Sequence, residues 1–558
     1  MDLNSWNIYP RPQMVRKSFL NLNGSWDFCE GGENIPSSFD EKITVPFAME
    51  SVLSGIGRRH DRKKYMWYRT FFDYKRDSAF SHVLLNCGGI DQTADVFLNG
   101  IRQNCPLDFI HDSIRLSSIK DGRNELLIRV YDDIKDLAYP YGKQSNKPSG
   151  MWYTPVSGIW QTVWIEEVPL KYVTGLKIIQ RKHGVDIRIF GAGQGVVTLK
   201  NGDKYHVNDG LCRIRLKNIR YWSAEDPYLY EFTLRTGEDE ISSYFGIRSE
   251  SLKEAGGRKR LCINSRPVFF HGLLDQGYFK DGIYTPDAPV RYAGDIKLAK
   301  DLGFNMLRKH IKVEPEVFYY LCDKLGMYVF QDMVNNGDYA FLRDTIIPTF
   351  GFQWLPDHNT HKDRRTRKMF CLYAQKTVKR LYNHPSIVYW TIFNEGWGQF
   401  HSTYLYEKLK KWDPGRFADS NSGWFKCGKS DISSWHVYFH KFFFPVTPES
   451  FERAVVLSEF GGYAYKVKGH THNENKLYGY AKFKSLKEYN KALEALYDRD
   501  VIAHIPGGLS GAVYTQLSDV ETEENGICTY DRQAVKPDRS VMLRIKDKID
   551  EAMKTIEG

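Results

Sequence analysis

Two periodicities divide this chain. From Gly24 to about Val168, short runs alternate apolar and polar residues with a period of two, at 68–72, 94–98 (ending in Asn99-Gly100) and 125–130, and turn signals separate them. A period of two sends successive side chains to opposite faces of a strand. Asn-Gly between two such runs marks a tight hairpin, because both residues tolerate positive φ. Strands at this spacing, with no helical pattern between them, predict a β jelly roll or sandwich over 1–168. The same grammar continues more compactly over 169–250, with runs at 185–190 and 230–235, enough chain for an immunoglobulin-like β-sandwich.

After about Ser251 strand-like apolar runs alternate with longer segments of 3.6-residue period. Strands are predicted at 268–271, 305–310, 327–333, 387–394, 417–420, 432–437, 455–459 and 511–515, and amphipathic helices at 291–302, 314–325, 369–382, 404–412 and 485–496. Eight strands alternating with helices predict a C-terminal (β/α)8 TIM barrel over 251–558.

Composition narrows the function classes. A 558-residue chain with 42% hydrophobic and 26% charged residues is a multidomain globular protein, not a disordered or fibrous one. Its net charge of +10 is modest for this length, and nucleic-acid binding would need that charge concentrated. The densest basic stretch, 361–368, leads into an apolar periodic segment and reads as the solvated face of a helix. No nucleic-acid partner is expected. The nine cysteines stand singly, without a C-x-x-C pair, which predicts reduced thiols and no zinc site. The N-terminus lacks a signal-peptide pattern and no apolar run has the length of a membrane span, so the expected compartment is cytoplasmic. The Gly-rich 191–195 reads as a turn between strands, and His436 and His440, without an H-E-x-x-H helix, do not read as metal ligands. No cofactor or metal is expected.

A TIM barrel carries its chemistry at the C-terminal ends of its strands. Two carboxylates stand there: Glu395, ending the run Ile387 to Asn394 with Gly396 behind it, and Glu459, in Val455-Val456-Leu457-Ser458-Glu459-Phe460-Gly461. They close predicted strands four and seven, nearly opposite across the mouth. Glycoside hydrolysis asks for such a pair, one acid to protonate the leaving oxygen and one carboxylate at the anomeric carbon.

The chain resembles glycoside hydrolase family 2, the family of β-galactosidases and β-glucuronidases. The marks are Gly89 to Gly100, Ser157-Gly158-Ile159-Trp160, Arg266 to Gly272, His384-Pro385-Ser386-Ile387 and Asn394-Glu395-Gly396. The resemblance implies a retaining, double-displacement exo-β-glycosidase with Glu395 as general acid/base and Glu459 as nucleophile. A retaining pair is expected about 5–5.5 Å apart, with the acid's pKa raised by burial and by its partner's charge. The resemblance further implies that Asn394 bonds the sugar 2-hydroxyl and that Tyr438 positions the nucleophile. It places His310 and Asp275 near sugar hydroxyls, with His436, Asp332 and Trp424 as further candidates, and it implies a homo-oligomer.

The sugar is read from an absence and a default. Members that cleave β-glucuronides carry Asn-x-Lys after the eighth strand; here 518–532 is acidic and has Asn525 without a lysine two residues on. The expectation is therefore a β-galactosidase-like enzyme. A β-uronidase reading its carboxylate through Arg308, Lys309 or an arginine of 361–367 is one alternative, and a β-mannosidase or an arabinosidase is another. A non-catalytic carbohydrate-binding protein on a dead barrel is a remote alternative, opposed by the two intact carboxylates.

Overall fold

The computed structural model describes residues 2–76, 82–104, 107–110, 112–349, 352, 357 and 361–557. An antiparallel sandwich comes first. One sheet has the spatial order Phe19–Asn21, Val163–Val168, His82–Cys87, Asp112–Arg115; the other runs Glu41–Val45, Gly24–Gly31, Tyr65–Tyr74, Gly122–Tyr131, Thr93–Leu98, Ile101–Arg102. The expected alternation is visible in Thr93–Leu98, where Ala94, Val96 and Leu98 are buried between half-exposed neighbours. Asn99 and Gly100 make the hairpin with φ of 51° and 80°. A second, immunoglobulin-like unit has seven antiparallel strands, ordered Gly175–Arg181, Gly184–Phe190, Leu211–Arg215, Lys204–Asn208, Gly195–Leu199, Tyr230–Thr236, Asp239–Phe245. Residues 191–195 are the turn the sequence predicts.

The barrel strands are β1 (Phe270–Asp275), β2 (Met306–Lys309), β3 (Tyr328–Asp332), β4 (Ile387–Asn394), β5 (Phe417–Ser422), β6 (Ile432–Val437), β7 (Ala454–Gly461) and β8 (Leu509–Thr515). They pair in parallel from β5 back through β1 to β8, β7 and β6, and β5 closes onto β6 through bonds such as Ser434 Oγ to the Asn421 carbonyl. Every residue of β1, β3, β4, β7 and β8 is buried, as befits parallel strands covered on both faces. Around them lie α1 (Val290–Asp301), α2 (Glu316–Leu325), α3 (Arg364–Leu381), α4 (Ser402–Trp412), α5 (Leu486–Asp500) and α6 (Arg539–Glu557).

Among the boundaries that differ from the sequence reading, three have a clear local cause. β1 begins at Phe270 because Val268 donates its N–H to Leu261, in a separate antiparallel piece. α2 begins after Pro315, whose ring cannot supply an N–H, so Glu314 is freed for an ion pair. α3 starts within the basic stretch, capped by the Asp363 side chain on Thr366 N at 2.6 Å; Arg364 and Arg365 are exposed as expected, but His361 is buried. Cys29, Cys212, Cys262, Cys322, Cys371, Cys427 and Cys528 are free thiols, as expected, and Cys105 lies outside the described residues. Among the described residues no helix is long and apolar enough to cross a membrane.

One connection of the first sandwich decides the shape of the barrel mouth. After Tyr131 the chain crosses the C-terminal ends of the barrel strands before returning at Val163. Tyr141 and Gly142 both donate their N–H to the Asn335 carbonyl at 3.2 Å, Tyr141 OH reaches Gly337 O at 2.6 Å, and Thr154 N reaches Glu521 at 2.8 Å. Trp152 packs edge-on against Tyr339 (4.8 Å) and Trp397 (5.2 Å). These rings share one apolar core with the barrel.

Candidate active site

Glu395 follows the last residue of β4 and sits at φ 54°, a left-handed conformation that costs a non-glycine residue energy. Its neighbours impose it. The Glu395 N–H donates to Ser422 O at 2.9 Å, and its carbonyl accepts from Trp424 Nε1 at 3.1 Å. Gly396 continues the turn at φ 72°, where a Cβ would lie 2.0 Å from the Phe425 ring. The turn aims the carboxylate across the mouth, to His436 Nδ1 at 2.8 Å.

Glu459 faces it from β7. Arg308 Nη1 donates to Oε1 at 2.9 Å and Tyr438 OH to Oε2 at 2.5 Å. Arg308 is itself fully buried, and its remaining donors reach Asp332 at 3.1 Å, Asn394 Oδ1 at 2.8 Å and Ser458 O at 3.0 Å. One guanidinium thus ties the ends of β2, β3, β4 and β7 together. His436 lies between the two glutamates, with Nε2 3.5 Å from Glu459 and 3.1 Å from Ser422 Oγ. One oxygen of each glutamate and one His436 nitrogen all lie within 4.8 Å of one another.

This trio has the spacing of a metal site, but Arg308 places a positive charge against Glu459, which disfavours a cation there. Burial raises the Glu395 pKa above the ordinary carboxylate value, against the opposing charges of Lys143, His310 and Arg308. The anion adding to that rise is Asp344, where the sequence reading expected the charge of the partner Glu459. Burial also pushes His436 down to about 3, so the imidazole is neutral at ordinary pH. Burial and the Glu459 charge keep Tyr438 protonated, with its pKa well above 10.0.

The structure brings Glu395, Glu459, Asn394, Tyr438, His436 and His310 together at the mouth. His310 is held through Nδ1 by Asp332 at 2.8 Å. Three of the expected sugar contacts are placed otherwise. Asp275 spends its oxygens on Lys309 Nζ (2.6 Å) and Gly277 N (2.8 Å), because a buried cation beside it needs a counter-charge. Asp332 is consumed by Arg308 and His310, and Trp424 supports the Glu395 turn from below, 6% exposed. Arg308 and Lys309, considered as readers of a substrate carboxylate, are both buried and ion-paired inside the protein. Sequence reading missed the structural part of Arg308; its signal was a charge inside a buried strand, two residues from His310 and therefore on the same face. Lys143, from the crossing connection of the first sandwich, had no such signal.

Two carboxylates at this separation on a barrel mouth are the arrangement that glycoside hydrolysis asks for. The comparisons place the chain: it belongs to glycosyl hydrolases family 2, whose TIM barrel domain matches residues 257–549, with a further family 2 match at 174–248. Over 450 residues, 72% of this chain and 40% of the relative, it is 24% identical to a putative beta-glucuronidase of Formosa agariphila. Over 239 residues, 41% of this chain and 21% of the relative, it is 29% identical to a beta-galactosidase of Leuconostoc mesenteroides. The chain thus spans less than half the length of these curated relatives. A solved beta-glucuronidase from an uncultured Clostridium superposes with TM-score 0.74 over 98% of this chain and 99% of that one, at 17% identity, a likeness of fold.

Proposed function

We propose that this chain is a retaining exo-β-glycosidase that removes terminal sugars from β-glycosides by double displacement. The observation that carries the reading is the opposed pair Glu395 and Glu459, with carboxylate oxygens within 4.8 Å and distinct surroundings. That separation suits a direct attack by one carboxylate; an inverting pair leaves room for a water, at about 6.5–9.5 Å. Glu459, fixed by Arg308 and Tyr438, attacks the anomeric carbon. Glu395, buried and so retaining its proton longer, gives it to the leaving oxygen and then takes one from the incoming water. Asn394, oriented by Arg308, bonds the 2-hydroxyl as the oxocarbenium-like state forms. Neutral His436 accommodates both states of Glu395: it donates Nδ1–H to the carboxylate, or accepts from the carboxylic acid while Nε2–H turns to Ser422. The wall formed by Trp152 and its connection favours entry of a chain end. Assembly into a homo-oligomer is part of the same proposal.

The test is a panel of p-nitrophenyl β-glycosides, followed by trapping with the 2-deoxy-2-fluoro glycosyl fluoride of the sugar that is cleaved. Nitrophenolate release from at least one glycoside and a stoichiometric label on Glu459 are expected. A label on any other residue would reject the assignment.

A further inference from the structure

Resting on the glycosidase reading, we propose that the sugar held in this pocket is a uronic acid and that Lys143, supplied by the first sandwich, reads its carboxylate. Lys143 is 8% exposed, and among the described residues its ammonium has no hydrogen-bond or ion-pair partner. Its backbone is pinned over the mouth: its carbonyl accepts from Tyr153 N at 2.9 Å, and the preceding Tyr141 and Gly142 are bonded to Asn335. The residue is largely buried while its unpaired ammonium stays open to the mouth, where an anionic ligand group can meet it. Its charge acts on Glu395 at the end of β4, on His310 after β2 and on Glu523 after β8. A charge felt at the ends of β2, β4 and β8, on a backbone bonded to Asn335 after β3, belongs to the mouth that the catalytic pair faces.

Most of the other cations near the mouth are engaged elsewhere, and Lys426, which has no hydrogen bond among the described residues, lies against the Trp435 ring, 2.9 Å from its centroid. Arg308 and Lys309 are ion-paired as described, Arg365 is paired with Asp136 at 2.7 Å, Arg367 bonds His361 O and His401, and Arg364 is exposed to solvent. Glu523, the nearby anion that could oppose a substrate carboxylate, accepts from Tyr153 OH and from Asn525 Nδ2, and burial raises its pKa toward the neutral form. The unanswered charge in the pocket is therefore positive. The Asn-x-Lys element missing after β8 is replaced, on this view, by a lysine arriving from a different folding unit.

The experiment measures kcat/KM for p-nitrophenyl β-D-galacturonide, β-D-glucuronide, β-D-galactoside, β-D-glucoside and β-D-galactoside 6-sulfate with the full chain and with Lys143→Met. The wild type is expected to favour one uronide over its neutral counterpart by about 100-fold, the scale of one charge-assisted hydrogen bond. Lys143→Met should shrink that ratio by a similar factor, mainly through KM, and Lys143→Arg should restore part of it. The wild-type ratio needs no variant to fold. Preference for a neutral glycoside would overturn the inference and leave the glycosidase reading standing, as would equal losses on both classes in Lys143→Met. Preference for the 6-sulfate would assign the ammonium to a sulfate ester and reject the uronide. Silence on all five, with no trapping of Glu459, would reject the glycosidase reading and the inference together.

Discussion

Burying Glu395 makes its proton harder to lose, and a general acid acts only while it holds that proton. Since burial raises its pKa above the usual carboxylate range, the protonated form persists to higher pH and fails as pH climbs through the raised value. The alkaline limb of the kcat/KM profile is therefore expected to belong to Glu395. Glu395→Gln should flatten that limb, lose little with an activated nitrophenyl leaving group, and be rescued by azide with release of a β-glycosyl azide. Equal, unrescued losses on every leaving group would contradict the role. His436, at about 3, contributes no ionisation in this range. Tyr438→Phe removes one donor to Glu459 and is expected to lower kcat by about 10- to 100-fold, the worth of a hydrogen bond to a charged group, with KM nearly constant. The two glutamates were legible in the sequence because each stands at the C-terminal end of a buried apolar run, where an acid without a function or a counter-charge is costly. Asp275 and Asp332 carry the same signature and serve ion pairs, and only coordinates separate those cases.

At the scale of elements, the turn after β4 stores conformational strain that its surroundings sustain. Gly396→Ala would put a methyl 2.0 Å from the Phe425 ring at a backbone angle that resists a Cβ. The expected result is a fall in kcat of about tenfold or more, as misplacement at the chemical centre brings, together with a lower thermal midpoint. Wild-type kinetics in this variant would show that the turn tolerates displacement. Strand and helix positions in the barrel were largely readable, since buried parallel strands make continuous apolar runs. The boundary shifts at Phe270 and Glu316 arose from local pairings, Val268 with Leu261 and Pro315 at a helix start. α6 went unread because its apolar residues, Val541, Met542, Ile545 and Ile549, are diluted by charges on the outer face.

Across the whole molecule the units are bolted together by buried charge. Arg16 donates to Glu166 of the first sandwich at 2.8 Å and to both Asp239 oxygens of the second at 2.9 Å, with all three side chains at most 3% exposed. Arg16→Met would strand Asp239 in a low-dielectric junction, while Glu166 keeps Arg11 at 3.1 Å, and a loss of about 3 kcal/mol is expected. Urea titration followed by tryptophan fluorescence checks it; an unchanged midpoint would mean the junction is held by other contacts. Such a junction is invisible in sequence, because Arg16, Glu166 and Asp239 are more than seventy residues apart in each step. The crossing connection has the same character on the functional side. It walls the mouth with Trp152 and carries Lys143 and Tyr153 into reach of barrel residues. Reaction and recognition are thereby inherited on separate stretches of gene: a lineage can trade the segment between Tyr131 and Val163 and acquire a new diet while the barrel, with its hard-won geometry, is passed on unaltered.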